Sequence, residues 1–238
     1  MSNDYQYNPW PLGALNPELR RQEPDQARAL GFEWDDPRNL IDLFEKEIAE
    51  FTGAKYAVVV DCASHGIFLS LKYLQFNGEA SIPKHTYVSV PMEIKNAGAS
   101  FVFRDEKWVG EYQILPTKVV DSAGRFKRDM YLGDGHLQVL SFQIKKNLPI
   151  GRGGAILTDD IDAFNWLKLA SYDGRDLTRP YDDPDHLQSF GWHYYMTPED
   201  AARGLVLLNK IDESSYRDLN WKLYPDLTNY SLFQGRSE

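Results

Sequence analysis

The sequence predicts an α/β fold, a three-layer arrangement around a mostly parallel, doubly wound sheet. Short β-branched runs alternate with stretches of helical apolar spacing, the order that parallel sheets covered by helices on both faces require. Several strand-like runs end in small polar residues where the next segment opens, as βα turns do. The chain has 238 residues, 42% hydrophobic and 26% charged. That is ordinary globular composition, with length enough to bury a core.

Residues 1–38 are rich in Pro, Asp and Arg with little periodicity, and read as an irregular N-terminal arm that Trp10 and Trp34 would pack onto the body. From Asn39 the pattern sharpens. Leu40, Phe44, Ile48 and Phe51 recur at helical spacing between a capping Asn39 and a terminating Gly53. KYAVVV (55–60) is a buried strand running into DCASHG (61–66), and Ile67, Phe68, Leu71 and Leu74 mark the helix behind it. Such a turn lays backbone N–H groups and a helix N-terminus at the carboxyl edge of the sheet, where an anion is favoured.

Strands follow at 80–83, 100–104, 118–121, 137–142 and 154–159, with a short helix over 90–98. Asp160 caps a helix through Ala170, and 171–191 is a polar, Pro-containing loop. Thr197-Pro198-Glu199-Asp200 is a helix start with a capping hydroxyl, Pro at the first position and an acid at the third. After Tyr216 the pattern fades.

The formal charge of −9 and pI near 5.1 argue against a nucleic-acid or anionic-membrane partner. One cysteine, Cys62, excludes an internal disulfide and suits a reducing compartment. No apolar run reaches the ~20 residues of a membrane span, and MSNDYQYNPWPLG lacks the marks of a signal peptide. The expectation is a cytoplasmic protein. No GxGxxG, P-loop or metal-spaced histidine pair occurs, so no metal is expected.

Three segments fall at strand ends: DCASHG (61–66), VVDSAG (119–124) and SFQIKKNLPIGRGGA (141–155). Singly they read as a capped helix start, a strand with its turn, and a glycine-rich hairpin with solvated lysines. Together they supply an anion site, a strand-end Asp and a lysine, which is what pyridoxal 5'-phosphate needs. The phosphate takes the N–H groups, the Asp keeps the ring nitrogen protonated, and the lysine, once it loses its proton, bonds the aldehyde.

SFQIKKNLPIGRGGAILTDD (141–160) resembles the lysine segment of the DegT/DnrJ/EryC1/StrS family, the sugar aminotransferases of fold type I. Four further blocks are similar in the same order. YAVVVDCASHGIFLSL (56–71) is like the family's valine-rich strand, phosphate turn and helix. IPKHTYVSVPMEIKNAGASFVFRD (82–105) is like the stretch with the ring-stacking aromatic, and VVDSAG (119–124) stands at its Glu-Asp-Ala-Ala-Gln motif. GWHYYMTPEDAARGLVLLNKIDE (191–213) is like its Gly-Tyr-Asn-Tyr-Arg-Met segment.

The resemblance implies a pyridoxal-phosphate enzyme whose Schiff-base lysine and base is Lys146, not its neighbour Lys145. Asp121, 25 residues earlier, would pair with the ring nitrogen. Ala63 and Ser64 would hold the phosphate from one side and Ser141 from the other. Tyr87 stands where an aromatic stacks on the ring, though an ordinary core tyrosine fits the sequence equally. The departures are Gly124 for the Gln that contacts the ring hydroxyl, Val120 for Glu, His65 at a usually small position, and His193 and Tyr195 for Asn and Arg. With Arg175 of the 174–185 loop, His193 and Tyr195 are the candidates for substrate contact.

The resemblance further implies a homodimer acting on a nucleotide-linked keto-sugar with an amino-acid donor such as glutamate. The parts would be the arm (1–38), a cofactor-binding large domain (39–213) and a remnant or tail (214–238). The chain would thus be a shortened member lacking most of the C-terminal domain, and no room is left between Asp105 and Val119 for the family's extra strand and helix. The alternative is a degenerate member that binds cofactor or nucleotide-sugar as a non-catalytic or partner subunit.

Overall fold

The computed structural model describes residues 17–180 and 182–234. The expectation for Trp10 lies outside the described residues. In chain order the elements are α1 (Glu23–Ala29), α2 (Asn39–Thr52), β1 (Tyr56–Val60), α3 (Ala63–Tyr73), β2 (Glu79–Pro83), α4 (Ser89–Asn96) and β3 (Ser100–Arg104). They continue with β4 (Tyr112–Ile114), β5 (Val119–Asp121), β6 (Leu137–Ser141), β7 (Gly154–Thr158), α5 (Ile161–Ser171) and α6 (Pro198–Asn209). Short 3-10 turns punctuate the remainder.

Five strands form a sheet in the order β1-β7-β6-β5-β4, and β2 pairs with β3 in parallel beside it. The two parts meet where Ser81 and Leu115 exchange backbone hydrogen bonds at 2.7 and 3.1 Å. Through that junction five strands (β1, β2, β3, β5, β6) point one way, while β4 and β7 run against their neighbours. The carboxyl ends of the five therefore share one edge, together with the first residues of β4 and β7.

The side chains of successive strand residues point to opposite faces, and the two cores divide accordingly. Ala57 and Val59 of β1, with Ala155 and Leu157 of β7, pack under α1, α2 and α6. Val58 and Val60, with Ile156, Val139 and Leu137, pack under α3, α4 and α5. This is the three-layer arrangement of the sequence reading.

Caps set several helix boundaries. Asp160 accepts from the Asp162 N–H at 2.9 Å and Thr197 from the Asp200 N–H. Asn39 is the first helical residue of α2 and not its cap; its side chain accepts from the Asp36 N–H instead.

Two elements depart from the expectations. Residues 23–29, read as part of an irregular arm, form α1, which buries Pro24 and Ala27 against the body. Trp34 is buried in the same core. Between Asp105 and Val119 a strand does form: β4 occupies the space between β2 and β5, reversed in direction. The cause is chain length. Only residues 115–118 connect β4 to β5, enough for an antiparallel turn, whereas a parallel neighbour needs a crossover of a dozen residues or more.

Candidate functional site

At the shared carboxyl edge lies a cavity of about 740 Å³. Ala63, Ser64, Tyr87, Asp121, Ser141 and Lys146 all line it. They arrive from four strand ends, which is why residues spread over more than eighty positions converge. Ala63 and Ser64 open α3 directly after β1, so the free N–H groups of a helix N-terminus face the cavity. The Ser64 hydroxyl bonds that of Ser89, at the start of α4, at 2.6 Å. Gly154 lets the start of α3 lie against β7: a Cβ there would meet the Ala63 nitrogen at 2.7 Å and the Leu140 carbonyl oxygen at 2.8 Å.

Asp121 ends β5 and is buried. Its Oδ2 accepts from the Tyr112 hydroxyl at 2.6 Å and its Oδ1 from the Ala123 N–H at 2.9 Å. Burial pushes this carboxyl up, against the pull of those two donors and of the Lys146 charge. Behind it Tyr112 also shares a short hydrogen bond with the Thr86 hydroxyl.

Burial pushes Lys146 below the ordinary lysine value, with Asp121 acting in the other direction. A lowered value favours the neutral amine that attacks a carbonyl. Lys145, beside it, is exposed. Tyr87 is 59% exposed at the rim, which rules out its reading as a core tyrosine and leaves its ring available to a ligand.

Sequence reasoning missed the wall opposite. Residues 217–230 fold back across the cavity, bringing Leu219, Leu223, Tyr224 and Pro225 to its lining. The Lys146 Nζ donates to the Tyr224 hydroxyl at 3.5 Å. Tyr224 packs on Trp108, and Leu227 is fully buried. Pattern analysis offers little in WKLYPDLTNY beyond its aromatic content, because this segment has neither helical nor strand periodicity.

His193, Tyr195 and Arg175 do not line this cavity. Tyr195 stacks on Tyr172, with centroids 4.6 Å apart and planes 4° from parallel. His193 is exposed and pairs with Asp173 at 2.9 Å. Arg175 lines a separate cleft of about 580 Å³ together with Lys168 and Tyr172. These three residues therefore stand apart from the cavity that gathers the others.

His65 lies beside the cavity rather than on an open helix surface. It stacks on Tyr194 with centroids 3.7 Å apart and bonds Asp61 at 2.6 Å. Burial opposes its charge, but Asp61 and the Cys62 sulfur raise its pKa to about 10. The ligand atoms of Asp61, Cys62 and His65 lie within 4.8 Å of one another. A protonated His65 and Arg152, which bonds Asp61 at 2.9 Å, already occupy that carboxylate, so the trio is built as an ion-pair cluster.

The architecture defines a class: it is that of the large domain of fold type I pyridoxal-phosphate enzymes. The chain belongs to the DegT/DnrJ/EryC1/StrS aminotransferase family, whose profile matches residues 29–123 and 120–229. It is 26% identical over 226 residues to the spore coat polysaccharide biosynthesis protein SpsC of Bacillus subtilis, covering 74% of this chain and 58% of that protein. It is 25% identical over 215 residues to GDP-perosamine synthase of Caulobacter vibrioides, covering 71% and 56%. The chain thus spans little more than half the length of these curated relatives. The sugar aminotransferase CalS13 from Micromonospora echinospora has the same fold, with a TM-score of 0.65 at 17% identity over 84% of this chain and 67% of that one.

Pyridoxal phosphate is the cofactor this family implies, and the residues present fit it. The depressed lysine, the buried aspartate fixed by two donors, the helix N-terminus and the exposed tyrosine ring surround one volume.

Proposed function

We propose that this chain transfers an amino group from an amino acid, glutamate foremost, to a keto-sugar linked to a nucleotide. The observation that carries the reading is the convergence of Lys146, Asp121 and the α3 N-terminus on one cavity. When bound, pyridoxal phosphate supplies the electron sink for amino transfer.

Lys146 anchors the cofactor and, when released, moves the proton at the substrate's α-carbon. Asp121 would accept a hydrogen bond from the protonated ring nitrogen, a charge-assisted contact at a buried carboxylate. The Ala63 and Ser64 N–H groups, with the Ser64 and Ser141 hydroxyls, hold the phosphate. Tyr87, exposed at the rim, would stack on the ring. The cofactor-binding unit is 39–213, the chain works as a homodimer, and it acts in the cytoplasm on small molecules.

The similarity to a GDP-perosamine synthase and to a polysaccharide biosynthesis protein supports a sugar acceptor. A second reading, a subunit that holds cofactor but needs another chain to turn over, is supported by Gly124 and Tyr195 in place of the family's Gln and Arg and by the chain's span of little more than half its relatives' length.

The test is the absorbance spectrum of the protein with pyridoxal phosphate, before and after borohydride, beside Lys146→Ala. The expected result is a band that borohydride fixes covalently in the parent and that the variant lacks. Loss of that band on adding L-glutamate identifies a working donor. A band indifferent to Lys146 overturns the reading. A Lys146-dependent band that no amino acid discharges favours the second one.

A further inference from the structure

Tyr224 approaches the reactive nitrogen from a segment that the cofactor-binding motifs do not include. Its hydroxyl is 3.5 Å from the Lys146 Nζ, and three arrangements fix it there. The ring packs on Trp108 with centroids 5.3 Å apart. The Tyr224 carbonyl oxygen lies 3.0 Å from the His85 Nδ1. Beyond it, the Leu227 N–H donates to the Lys84 carbonyl at 2.9 Å, and Lys84 pairs with Asp226.

The segment reaches this position because position 124 has no side chain. A Cβ on Gly124 would lie 2.7 Å from the Gly110 carbonyl oxygen and 3.3 Å from the Leu219 Cβ. The Leu219 N–H donates to the Gly124 carbonyl at 2.8 Å and its own carbonyl accepts from the Gly110 N–H at 2.7 Å. The space a longer residue at 124 would fill is thus taken by the Gly110 backbone and by Leu219 of the strap that carries Tyr224.

We propose that Tyr224 is a cofactor-contacting residue, donating its hydroxyl proton to the ring oxygen of pyridoxal phosphate that lies beside the Lys146 nitrogen. This inference rests on the proposed cofactor reading. Among the described residues no acceptor takes the Tyr224 proton, so it is available to a ligand. Burial, Asp121 and Tyr87 push the phenol up to about 12, so it keeps that proton at neutral pH. Ser64 is bonded to Ser89 and Thr86 to Tyr112, while Ser141 accepts from the Gln143 N–H.

With the cofactor held at Lys146, its ring oxygen would share the proton on the Lys146 nitrogen. A second donor on that oxygen competes for it, so the nitrogen loses its proton at lower pH. Removing the donor holds the proton to higher pH. Asp121, Tyr87, Lys145, Arg152 and Cys62 also face this cavity, and they remain the same in parent and variant.

The experiment is a pH titration of the cofactor band in the loaded protein, parent against Tyr224→Phe, with borohydride fixation and thermal melting as companions. The phenyl ring keeps its packing on Trp108, so the melting temperature of the unloaded protein stays within about a degree or two. The expected result is a midpoint moved up by about one pH unit, the tenfold that one hydrogen bond commands, with fixation at Lys146 retained. A midpoint unchanged while the band still depends on Lys146 overturns this inference and leaves the cofactor reading intact. Where the variant melts early, Tyr224→His, which restores a donor, must bring the midpoint back toward the parent; failure to do so also overturns it. A parent with no Lys146-dependent band overturns both.

Discussion

Tyr112 and Asp121 stand directly opposite each other across the β4–β5 ladder, and the tyrosine hydroxyl donates to the aspartate Oδ2 at 2.6 Å. The pairing is a product of the reversed strand. Because β4 runs against β5, its first residue lies at the carboxyl edge, where the last residue of β5 needs a donor.

Tyr112→Phe removes that donor and leaves Asp121 buried with the Ala123 N–H alone. Asp121 already has its folded value raised by burial, and losing Tyr112 raises it further. The ionised form becomes costlier in the folded state only. The variant therefore loses about 1–3 kcal/mol at neutral pH, and the loss shrinks as pH falls and Asp121 gains its proton. Urea unfolding at several pH values measures it; a loss independent of pH contradicts it.

Against the opposing effect of burial, Asp61 and the Cys62 sulfur push His65 in the folded chain from its ordinary 6.5 up to about 10. The folded state binds this proton more tightly, so the stabilisation is complete below 6.5 and is lost as pH rises toward 10. Melting temperature falls across that window in the parent, and less steeply in His65→Gln. Equal slopes for the two proteins would refute the assignment.

Lys168 bonds the buried Glu45 at 2.7 Å and Asp42 at 3.1 Å, while Glu45 accepts from the Val59 N–H at 3.0 Å. Burial raises Glu45 and works against the charge of Lys168, which its two carboxylates restore. Lys168→Met strands the Glu45 charge and costs about 3–5 kcal/mol in chemical denaturation. Adding Glu45→Gln, which keeps an acceptor for Val59, recovers part of the loss. A double variant less stable than the single one would show that the pair does not act as a unit.

Gly124→Ala places a methyl group against the Gly110 backbone and Leu219. Neither neighbour is a flexible side-chain end, so the Gly110 backbone and the strap bonded to it must shift. Hydrogen exchange at the Leu219 amide, bonded to the Gly124 carbonyl, accelerates while that of the Val139 amide in the central strand does not. The stability cost is about 1–3 kcal/mol.

Most of the architecture was legible because strand runs such as AVVV (57–60) and AILT (155–158) are buried on both faces and so lack polar interruptions. The capping hydroxyl of Thr197 and carboxylate of Asp160 marked helix starts for the same local reason. What escaped depends on distant partners. β4 is three residues long and takes its character from Asp121 and Ser81 on either side. α1 buries two residues, one of them a proline, too few to make a pattern.

The site divides along the same line. Lys146, Asp121, Ser64 and their companions sit at strand ends, and order along the chain maps onto position along one edge. Tyr224 sits in a segment without periodicity, 78 residues beyond the lysine it touches. The departure at Gly124 was visible as a missing side chain, while its physical reason required the path of Leu219.

The strap also has a consequence for the order in which the chain matures. The helices that cover the central strands, α1 through α6, all precede the strap in the chain. The cavity's far wall is supplied only after residues 219–225 emerge and dock on Trp108, Gly110 and Lys84. That wall is thus the last part of the cavity to be synthesised. The competence to enclose a ligand is acquired late.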